Sequence, residues 1–426
     1  MARRKRAGAF ATALVAVTAL AGCGAGSSGE SGPTSLRMTV WTSNAAHLKL
    51  FQGIAADYRK THPEIKKITF DPLPLESYTT TLTTQVSGGN APDLAWVFEN
   101  SAPDFVDSGA LVPLDATLEK TPGYKYQELI PSITKLWKRN GELFAYPFST
   151  SPFGVFVNTD LLKKAGQKSP AELMKTDRWN WETVLDENAA VHRSTGKGGM
   201  VIRDFDYKVW DNLATLWTGW GAAPWSTDGK TCTFDQKPMV DAMTRLHKAI
   251  FDDKAMPGPG TAADFFAGDA AMTVTQISRA SLLEGAKFSW DLVPLPAGPQ
   301  GDYSVIGQAG IGVFKQGKHT KEAADFLAFF TNPANSAKLS AYFPPPRTSQ
   351  LTAENLVKSN PLLTSDQLKS AVVDQIAGGV VKPSHTGQAE LAQQVRAGLD
   401  PLWRPGADVP AVLDDVCRKI TPLLGK

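Results

Sequence analysis

The chain has 426 residues, of which 44 are Lys or Arg, 42 are Asp or Glu, and 42% are hydrophobic. The near-balance of charge excludes a strongly basic surface, so we expect no nucleic-acid partner. The length exceeds what one hydrophobic core usually serves, so we expect two domains. Four of the cations are Arg3, Arg4, Lys5 and Arg6, which leaves 40 cations against 42 anions in the rest of the chain.

Residues 1–23 have the pattern of a lipoprotein signal peptide. The basic start precedes an apolar stretch, 7–21, that is too short to span a bilayer permanently. It ends in Leu-Ala-Gly-Cys at 20–23, which resembles the lipobox of bacterial lipoproteins. This resemblance implies lipidation of Cys23 and anchoring on the extracytoplasmic face of the cell membrane; a plain secretory peptide is the alternative. Residues 24–35, rich in Gly and Ser, are predicted to be a flexible tether.

Two cysteines follow the signal segment, Cys232 and Cys417. An oxidising compartment permits a disulfide between them, but the sequence does not give the distance between the two cysteines. Cys417 borders the apolar stripe of a predicted helix, so a buried free thiol is the alternative.

The beginning of the mature chain alternates predicted strands and helices. Residues 36–42 and 68–70 are β-prone, and 94–98 (LAWVF) is an apolar run suited to a strand buried on both faces. Between them lie two segments with helical periodicity, the first of which Asn44 can cap. This order predicts a parallel, helix-covered sheet, and such sheets bind ligands in the loops after their strand ends.

Three segments are interpreted as crossings between two domains: 146–153, 294–306 and the proline triplet 344–346. The first is extended and rich in hydroxyl groups, and consecutive prolines are stiff and cannot donate hydrogen bonds. Ordinary surface loops are the alternative. The C-terminal part is predicted to be helical at 321–330, 388–399 and 409–424.

Several motifs resemble, in order along the chain, those of family 1 extracellular solute-binding proteins, the maltose-binding-protein-like group that serves ABC sugar importers. They are GGNAPDL at 88–94, LVPLD at 111–115, YPFSTSPFGVFVNTDLLKK at 146–164, FAGDAAM at 266–272, IGQAGIGVF at 306–314 and KEAADFLAF at 321–329. Each motif alone is weak, but their common order is specific.

The resemblance implies an α/β, two-lobed periplasmic-binding-protein-like fold of type II, in which crossing strands join the lobes and a ligand cleft lies between them. The N-lobe would comprise 36–145 and 307–341, and the C-lobe 146–306 and 344–426. It also implies a monomer that closes around its ligand and delivers it to ABC permease subunits.

Sugar recognition needs flat aromatic surfaces and short side chains that donate and accept hydrogen bonds. The N-lobe candidates are Asn44, Glu76, Ser77, Phe98, Glu99 and Asn100. The candidates from the crossings and the C-lobe are Ser149, Ser151, Phe153, Trp210, Asp211, Trp220, Gln276, Ser278, Gly307, Gln308, Gly310 and Arg347.

Some of these candidates have alternative interpretations. Trp210 and Trp220 belong to a tryptophan-rich stretch that also suits a core, and Trp217 within it is expected to be core. Glu76 could serve only as a favourable charge at a helix start, and Arg347 could pair on the surface. The maltose type carries Trp, Asp and Arg where Val97, Asn100 and Ser101 stand here, so the resemblance favours a carbohydrate other than maltose.

The predicted function is therefore a substrate-binding lipoprotein of an ABC importer for a sugar or oligosaccharide, without enzymatic activity, cofactor or metal. A secreted glycan-active enzyme is disfavoured, because the chain lacks G-x-S-x-G, H-E-x-x-H, P-loop and paired-cysteine motifs and its six histidines are scattered. Two further alternatives stay open: the same fold binding a non-sugar solute, such as an amino acid derivative, polyamine or metal chelate, and an accessory lipoprotein without a permease.

Overall fold

The computed structural model describes residues 34–425, apart from the side chain of Glu76. The predicted signal peptide, its lipidation site Cys23 and residues 24–33 lie outside this range. The predicted tether extends two residues too far, since 34 and 35 already belong to the first strand. Within the described range, no helix combines the length and apolarity needed to cross a bilayer.

Most strands of the described chain belong to one mixed sheet. The strands are β1 Thr34–Val40, β2 Ile65–Pro72, β3 Leu94–Phe98, β4 Lys138–Arg139, β5 Glu142–Leu143, β6 Ala145–Asn158, β7 Gly198–Ile202, β8 Ala270–Gln276, β9 Trp290–Val293, β10 Val305–Val313 and β11 Val380–Val381. The order in the large sheet is β2-β1-β3-β10-β6-β8-β7, with β9 paired to β6 and β11 paired to β10. Strands β4 and β5 pair separately.

Helices cover the sheet and connect its strands. The α-helices are α1 Ala45–Thr61, α2 Tyr78–Ser87, α3 Ala102–Asp107, α4 Asp115–Lys120, α5 Pro131–Thr134, α6 Thr159–Lys164, α7 Pro170–Met174, α8 Trp181–Thr195, α9 Ala214–Trp217, α10 Lys237–Phe251, α11 Thr320–Phe330, α12 Pro333–Leu339, α13 Ala353–Ser359, α14 Ser365–Leu368, α15 Asp374–Ile376, α16 Gln388–Leu399 and α17 Val409–Ile420. Short 3-10 turns follow or precede several strands, at Leu75–Ser77, Glu99–Ser101, Trp210–Leu213 and Ile277–Leu283.

The predicted strand–helix alternation of the first hundred residues is confirmed. Strand β1 is parallel to both β2 and β3. The side-chain oxygen of Asn44 accepts hydrogen bonds from the backbone N–H groups of Ala46 and His47, which satisfies free donors at the start of α1. The helix then buries Phe51 and Tyr58 on one face. Local sequence thus determines this unit, because capping and apolar spacing agree.

Two of the three hydrophobic clusters of the described chain lie toward opposite ends of the sheet, and single strands run from one to the other. The N-lobe core surrounds β1, β2 and β3, and the C-lobe core surrounds β7, β8, α8, α10, α16 and α17. Strand β6 buries Ala145 in the first core and Val155 in the second, whereas β10 runs back from Val305 to Ile311. These crossing strands confirm the two-lobed α/β fold. The second crossing is β10 itself, and the predicted segment 294–306 is mostly irregular before Val305.

The structure contains a disulfide that the sequence alone could not decide. Cys232 and Cys417 are bonded, with their Cα atoms 5.4 Å apart. Both residues are buried in the C-lobe core. The bond therefore ties α17 to the loop that precedes α10, across 185 residues of sequence.

Burial of Glu187 on α8 makes the stability of the protein depend on pH. One of its carboxylate oxygens, Oε2, has no hydrogen-bond partner within the described chain, and burial raises the pKa of Glu187 from 4.5 to about 7. Because the folded-state pKa is the higher one, the folded protein binds the proton more tightly, and stability falls as pH rises from about 4.5 to about 7.

We expect Glu187→Gln to abolish this fall. The variant should match the wild type near pH 4 and exceed it in free energy of unfolding near pH 7.5, measured by urea unfolding. Glu390→Gln, which changes an exposed glutamate at the start of α16, serves as the control and should leave the pH profile unchanged. Equal profiles for the wild type and Glu187→Gln would contradict the prediction.

Candidate ligand-binding cleft

The carboxyl ends of two strands, β3 and β11, approach each other along one edge of β10, at the junction of the lobes. Strand β3 runs antiparallel to β10 and pairs with residues 309–313, whereas β11 runs parallel to it and pairs with 305–306. The carboxyl ends of β3 and β11 therefore point at each other. Glu99 directly follows β3 and Lys382 directly follows β11, so a side chain from each lobe reaches this junction.

Lys382 joins the two lobes through a cluster of charged and polar groups. Its Nζ lies 3.2 Å from Glu99 Oε1 and 3.0 Å from Asp211 Oδ2. The same Nζ donates to Asn212 Oδ1 at 3.2 Å. The three ionised side chains are only 9–12% exposed. We call these four residues the ion cluster.

The pKa values of Lys382 and Glu99 are both raised, by different balances of burial and pairing. Burial by itself lowers the pKa of Lys382, but the charges of Asp211 and Glu99 outweigh it and the pKa is raised overall. Burial raises the pKa of Glu99, and the charge of Lys382 reduces that rise without cancelling it. Buried charges of this kind are tolerated only when they are paired and hydrogen-bonded.

Polar groups of the crossing strands adjoin the ion cluster. Ser151 on β6 pairs with Gly307 on β10, and its hydroxyl oxygen is buried without a partner in the described chain. The side chain of Gln276 lies over Gly307, where a Cβ atom would stand 1.8 Å from its Nε2. Only glycine leaves room for this glutamine. We call Ser151, Gln276 and Gly307, together with the ion cluster, the cleft floor.

An aromatic pocket opens on the N-lobe side. Trp41 follows β1 and stacks on Phe98, with ring centroids 4.1 Å apart. Trp41 is half-buried. The cavity measures about 310 Å³ and is lined by Trp41, Thr42, Ser43, Asn44, His47, Leu75, Trp96 and Phe343. His47 accepts or donates a hydrogen bond with the Thr42 hydroxyl at 3.0 Å, and burial lowers its pKa, so the ring is uncharged at neutral pH.

The structure brings together many of the residues that the sequence indicated. Glu99, Ser151, Asp211, Gln276 and Gly307 lie in the cleft floor. Asn44 lines the aromatic pocket, and Phe98 stacks on the ring of Trp41, which also lines it. Four further candidates lie on strands or turns near these groups, half-buried or exposed: Asn100, Ser149, Ser77 and Ser278. The Glu76 side chain lies outside the described atoms.

Other candidates lie in the protein interior instead. Trp210 and Trp220 are buried members of the C-lobe core, like Trp217, which favours the core interpretation of the tryptophan stretch. Phe153 is also buried there, but its ring edge would stand 3.6 Å from a Cβ atom on Gly307, so it adjoins the cleft floor as expected. The indole rings of Trp210 and Trp220 are covered by neighbouring apolar side chains, so they offer a ligand little area.

Gln308, Gly310 and Arg347 also differ from expectation. Gln308 Oε1 accepts from the indole N–H of Trp137, and a Cβ on Gly310 would stand 2.9 Å from that indole, so both residues face Trp137. Arg347 is fully buried, and its guanidinium donates to three backbone carbonyls and lies over the Tyr124 ring. It is a packing residue rather than a cleft residue.

Sequence reasoning missed Lys382 and Asn212 in the floor and Trp41, His47 and Phe343 in the pocket. Trp41 carried a usable signal, because it stands at the end of a predicted strand where ligand loops begin. Lys382 carried none, since β11 is only two residues long. Within 34–425, no group of three or more His, Cys, Asp or Glu side chains is placed to hold a metal ion.

Comparisons with known proteins show the family of the chain and its fold. The family model for bacterial extracellular solute-binding proteins matches residues 42–337. The chain is 25% identical over 325 residues to the sn-glycerol-3-phosphate-binding periplasmic protein UgpB of Pectobacterium atrosepticum, covering 70% of each chain. It is 25% identical over 326 residues to the arabinooligosaccharide-binding protein of Bacillus subtilis, covering 73% of this chain and 72% of that one.

The fold is similar to that of a solved binding protein. The ABC substrate-binding protein Lmo0181 of Listeria monocytogenes, in complex with cycloalternan, superimposes with a TM-score of 0.76 at 21% identity. The match covers 91% of this chain and 98% of that one. At this identity the likeness concerns the fold alone.

Proposed function

The chain belongs to the bacterial extracellular solute-binding proteins, and on that premise we propose that it captures a sugar or oligosaccharide for an ABC importer. The observation that carries the proposal is the aromatic pocket beside a floor of hydrogen-bonding groups, at the junction of two lobes. Aromatic rings suit the C–H faces of sugars, and the polar groups suit their hydroxyls. The arabinooligosaccharide-binding relative and the cycloalternan complex support the same ligand class.

Capture would work by closure of the lobes. A ligand that contacts Trp41 in the N-lobe and Asp211 in the C-lobe gains interactions only when the lobes are closed, so it shifts the equilibrium toward the closed form. The crossing strands β6 and β10 support the lobe boundaries proposed here, 36–145 with 307–341 and 146–306 with 344–426.

We further propose that the protein is a monomeric lipoprotein, anchored through Cys23 on the extracytoplasmic face, that delivers its ligand to ABC permease subunits. The lipobox-like residues 20–23 support the anchor, and the family supports an extracytoplasmic role and a permease partner. The relatives reported above are binding proteins, which supports a role without catalysis.

A non-sugar solute is the second candidate, favoured by the sn-glycerol-3-phosphate-binding relative. A thermal-shift screen of the full-length chain, purified in detergent, tests both candidates, since a bound ligand raises the melting temperature by mass action. We expect a hit among neutral mono- and oligosaccharides and its recovery uncleaved. If no sugar raises the melting temperature and sn-glycerol 3-phosphate, a polyamine, an amino acid derivative or a chelate does, the sugar proposal is refuted. Cleavage products would indicate an enzyme.

Trp41→Ala should weaken binding of the sugar found by that screen at least about tenfold, or ~1.4 kcal/mol. The substitution removes the half-buried ring that stacks on Phe98 and lines the pocket, and rigid aromatic anchors dominate binding energies. Trp290→Ala is the matched control, because Trp290 is also half-buried but packs against another apolar cluster. Isothermal titration calorimetry measures both, and equal losses in the two variants would contradict a direct role for Trp41.

A further inference from the structure

The ammonium group of Lys382 donates to Asp211 and Asn212 and forms an ion pair with Glu99. An ammonium carries three N–H groups, and three acceptors lie within 3.2 Å of Nζ: Glu99 Oε1, Asp211 Oδ2 and Asn212 Oδ1. The first comes from the N-lobe side of the junction and the other two from the C-lobe side. A ligand that reaches the cleft floor therefore meets a cation that is already neutralised.

The ionisable groups of the floor are two acidic side chains and one cation. Two carboxylates share one ammonium, and the other side chains of the floor are uncharged. The arginines that follow β7 and β8 also face carboxylates, since Arg203 lies 3.7 Å from Asp264 and Arg279 lies 3.2 Å from Asp204. The strand-end loops of the C-lobe thus add no uncompensated cation.

The carboxyl groups of Glu99 and Asp211 leave accepting capacity in the floor, beside the Ser151 hydroxyl and the Gln276 amide, which can both donate and accept. Glu99 and Asp211 each keep a second carboxylate oxygen that does not bind Lys382, and the Ser151 oxygen has no partner in the described chain. A sugar hydroxyl or amino group can donate to these oxygens. A phosphate or carboxylate brings acceptors and negative charge, and like charges repel strongly where water is excluded.

We propose that Lys382 determines ligand specificity as a positioning residue. By holding one carboxylate from each lobe, it builds an accepting floor that admits neutral and amino sugars and rejects phosphorylated sugars and sugar acids. This inference rests on the proposed sugar-binding function. The proposal predicts that this chain prefers uncharged or amino sugars, unlike its sn-glycerol-3-phosphate-binding relative.

Matched sugar pairs test the proposal on the full-length chain in detergent. The probes are glucose and glucose 6-phosphate, maltose and maltose 6-phosphate, galactose and galacturonic acid, with glucosamine added, first by thermal shift and then by calorimetry. We expect a neutral or amino sugar to bind and its anionic partner to bind at least about 100-fold more weakly, as like-charge juxtaposition predicts.

An anionic partner that binds as tightly as its neutral counterpart would overturn this inference and leave the sugar-binding function standing. If none of these probes binds and no sugar of the thermal-shift screen binds either, the sugar-binding function is overturned, and this inference with it. The two failures are therefore distinguishable.

The double variant Glu99→Gln/Asp211→Asn tests the mechanism, because it removes both negative charges at nearly constant shape. The ratio of anionic to neutral Kd should fall at least about tenfold. Asp325→Asn, which changes an exposed carboxylate on α11 outside the cleft, should preserve the ratio. The single variant Glu99→Gln should give a smaller fall in this ratio. It replaces the double variant in the test if circular dichroism shows that the double variant is unfolded. A purely structural role would weaken both partners alike and leave the ratio unchanged, which would overturn the proposal.

Discussion

Replacement of Lys382 by methionine is expected to open the unliganded protein. The change leaves Glu99 and Asp211 buried without their cation, and removing one partner of a buried ion pair costs about 3–5 kcal/mol. The two carboxylates lie on opposite sides of the lobe junction, so separation of the lobes lets water reach both of them. The cost therefore falls on the closed form, whose population relative to the open form should drop at least about 100-fold.

Small-angle X-ray scattering of the unliganded protein measures this opening as a larger radius of gyration. Calorimetry should show weaker binding of the sugar found by the screen, because the competent closed form is less populated. Lys321→Met is the control, since Lys321 forms an exposed pair with Asp325 on α11, and such pairs contribute about 0–1 kcal/mol. Scattering curves that coincide for the wild type and Lys382→Met would contradict a bridging role.

Removal of the disulfide should destabilise the C-lobe by about 2–5 kcal/mol. The bond closes a loop of 185 residues, and a cross-link over a long loop restricts the unfolded chain strongly. We expect Cys232→Ala/Cys417→Ala to lower the midpoint of urea unfolding. Because the two lobes have separate cores, a C-lobe transition can separate from that of the N-lobe.

Reductant supplies the matched control for this prediction. Wild-type protein treated with a phosphine reductant should approach the double variant in unfolding midpoint, whereas the double variant itself should not respond. Mass spectrometry of peptides that contain Cys232 and Cys417 checks that the bond is present before treatment. An unchanged wild-type midpoint after complete reduction would contradict a stabilising role.

The sequence by itself determined the elements that depend on neighbouring residues. The β1-α1-β2-α2-β3 unit follows from an Asn44 cap and from apolar periods of two and 3.6 residues. The C-terminal helices at 320–330, 388–399 and 409–420 were recognisable for the same reason. Motif order then indicated the two-lobed fold. Glu99 and Gln276 could be predicted in the floor because each stands at the carboxyl end of a core strand, where ligands of such sheets bind.

Only the tertiary structure decided which residues meet across long stretches of chain. Lys382 follows a two-residue strand without any periodic signal, and its importance comes from pairing with Glu99 and Asp211. The sequence could not say that Trp210 and Trp220 are covered on the C-lobe side, because any face of an aromatic-rich helical stretch can be buried.

Arg347 and the disulfide belong to the same class of features. The Arg347 guanidinium finds its acceptors on segments around residues 124 and 331, and Cys232 meets Cys417 only through packing of α17. Helix and strand periods are encoded in residues a few positions apart, whereas contacts between distant segments depend on how β6 and β10 carry the chain between the lobes. For that physical reason the sequence indicated the fold and the edge where ligand binds, and the tertiary structure decided the groups that meet there.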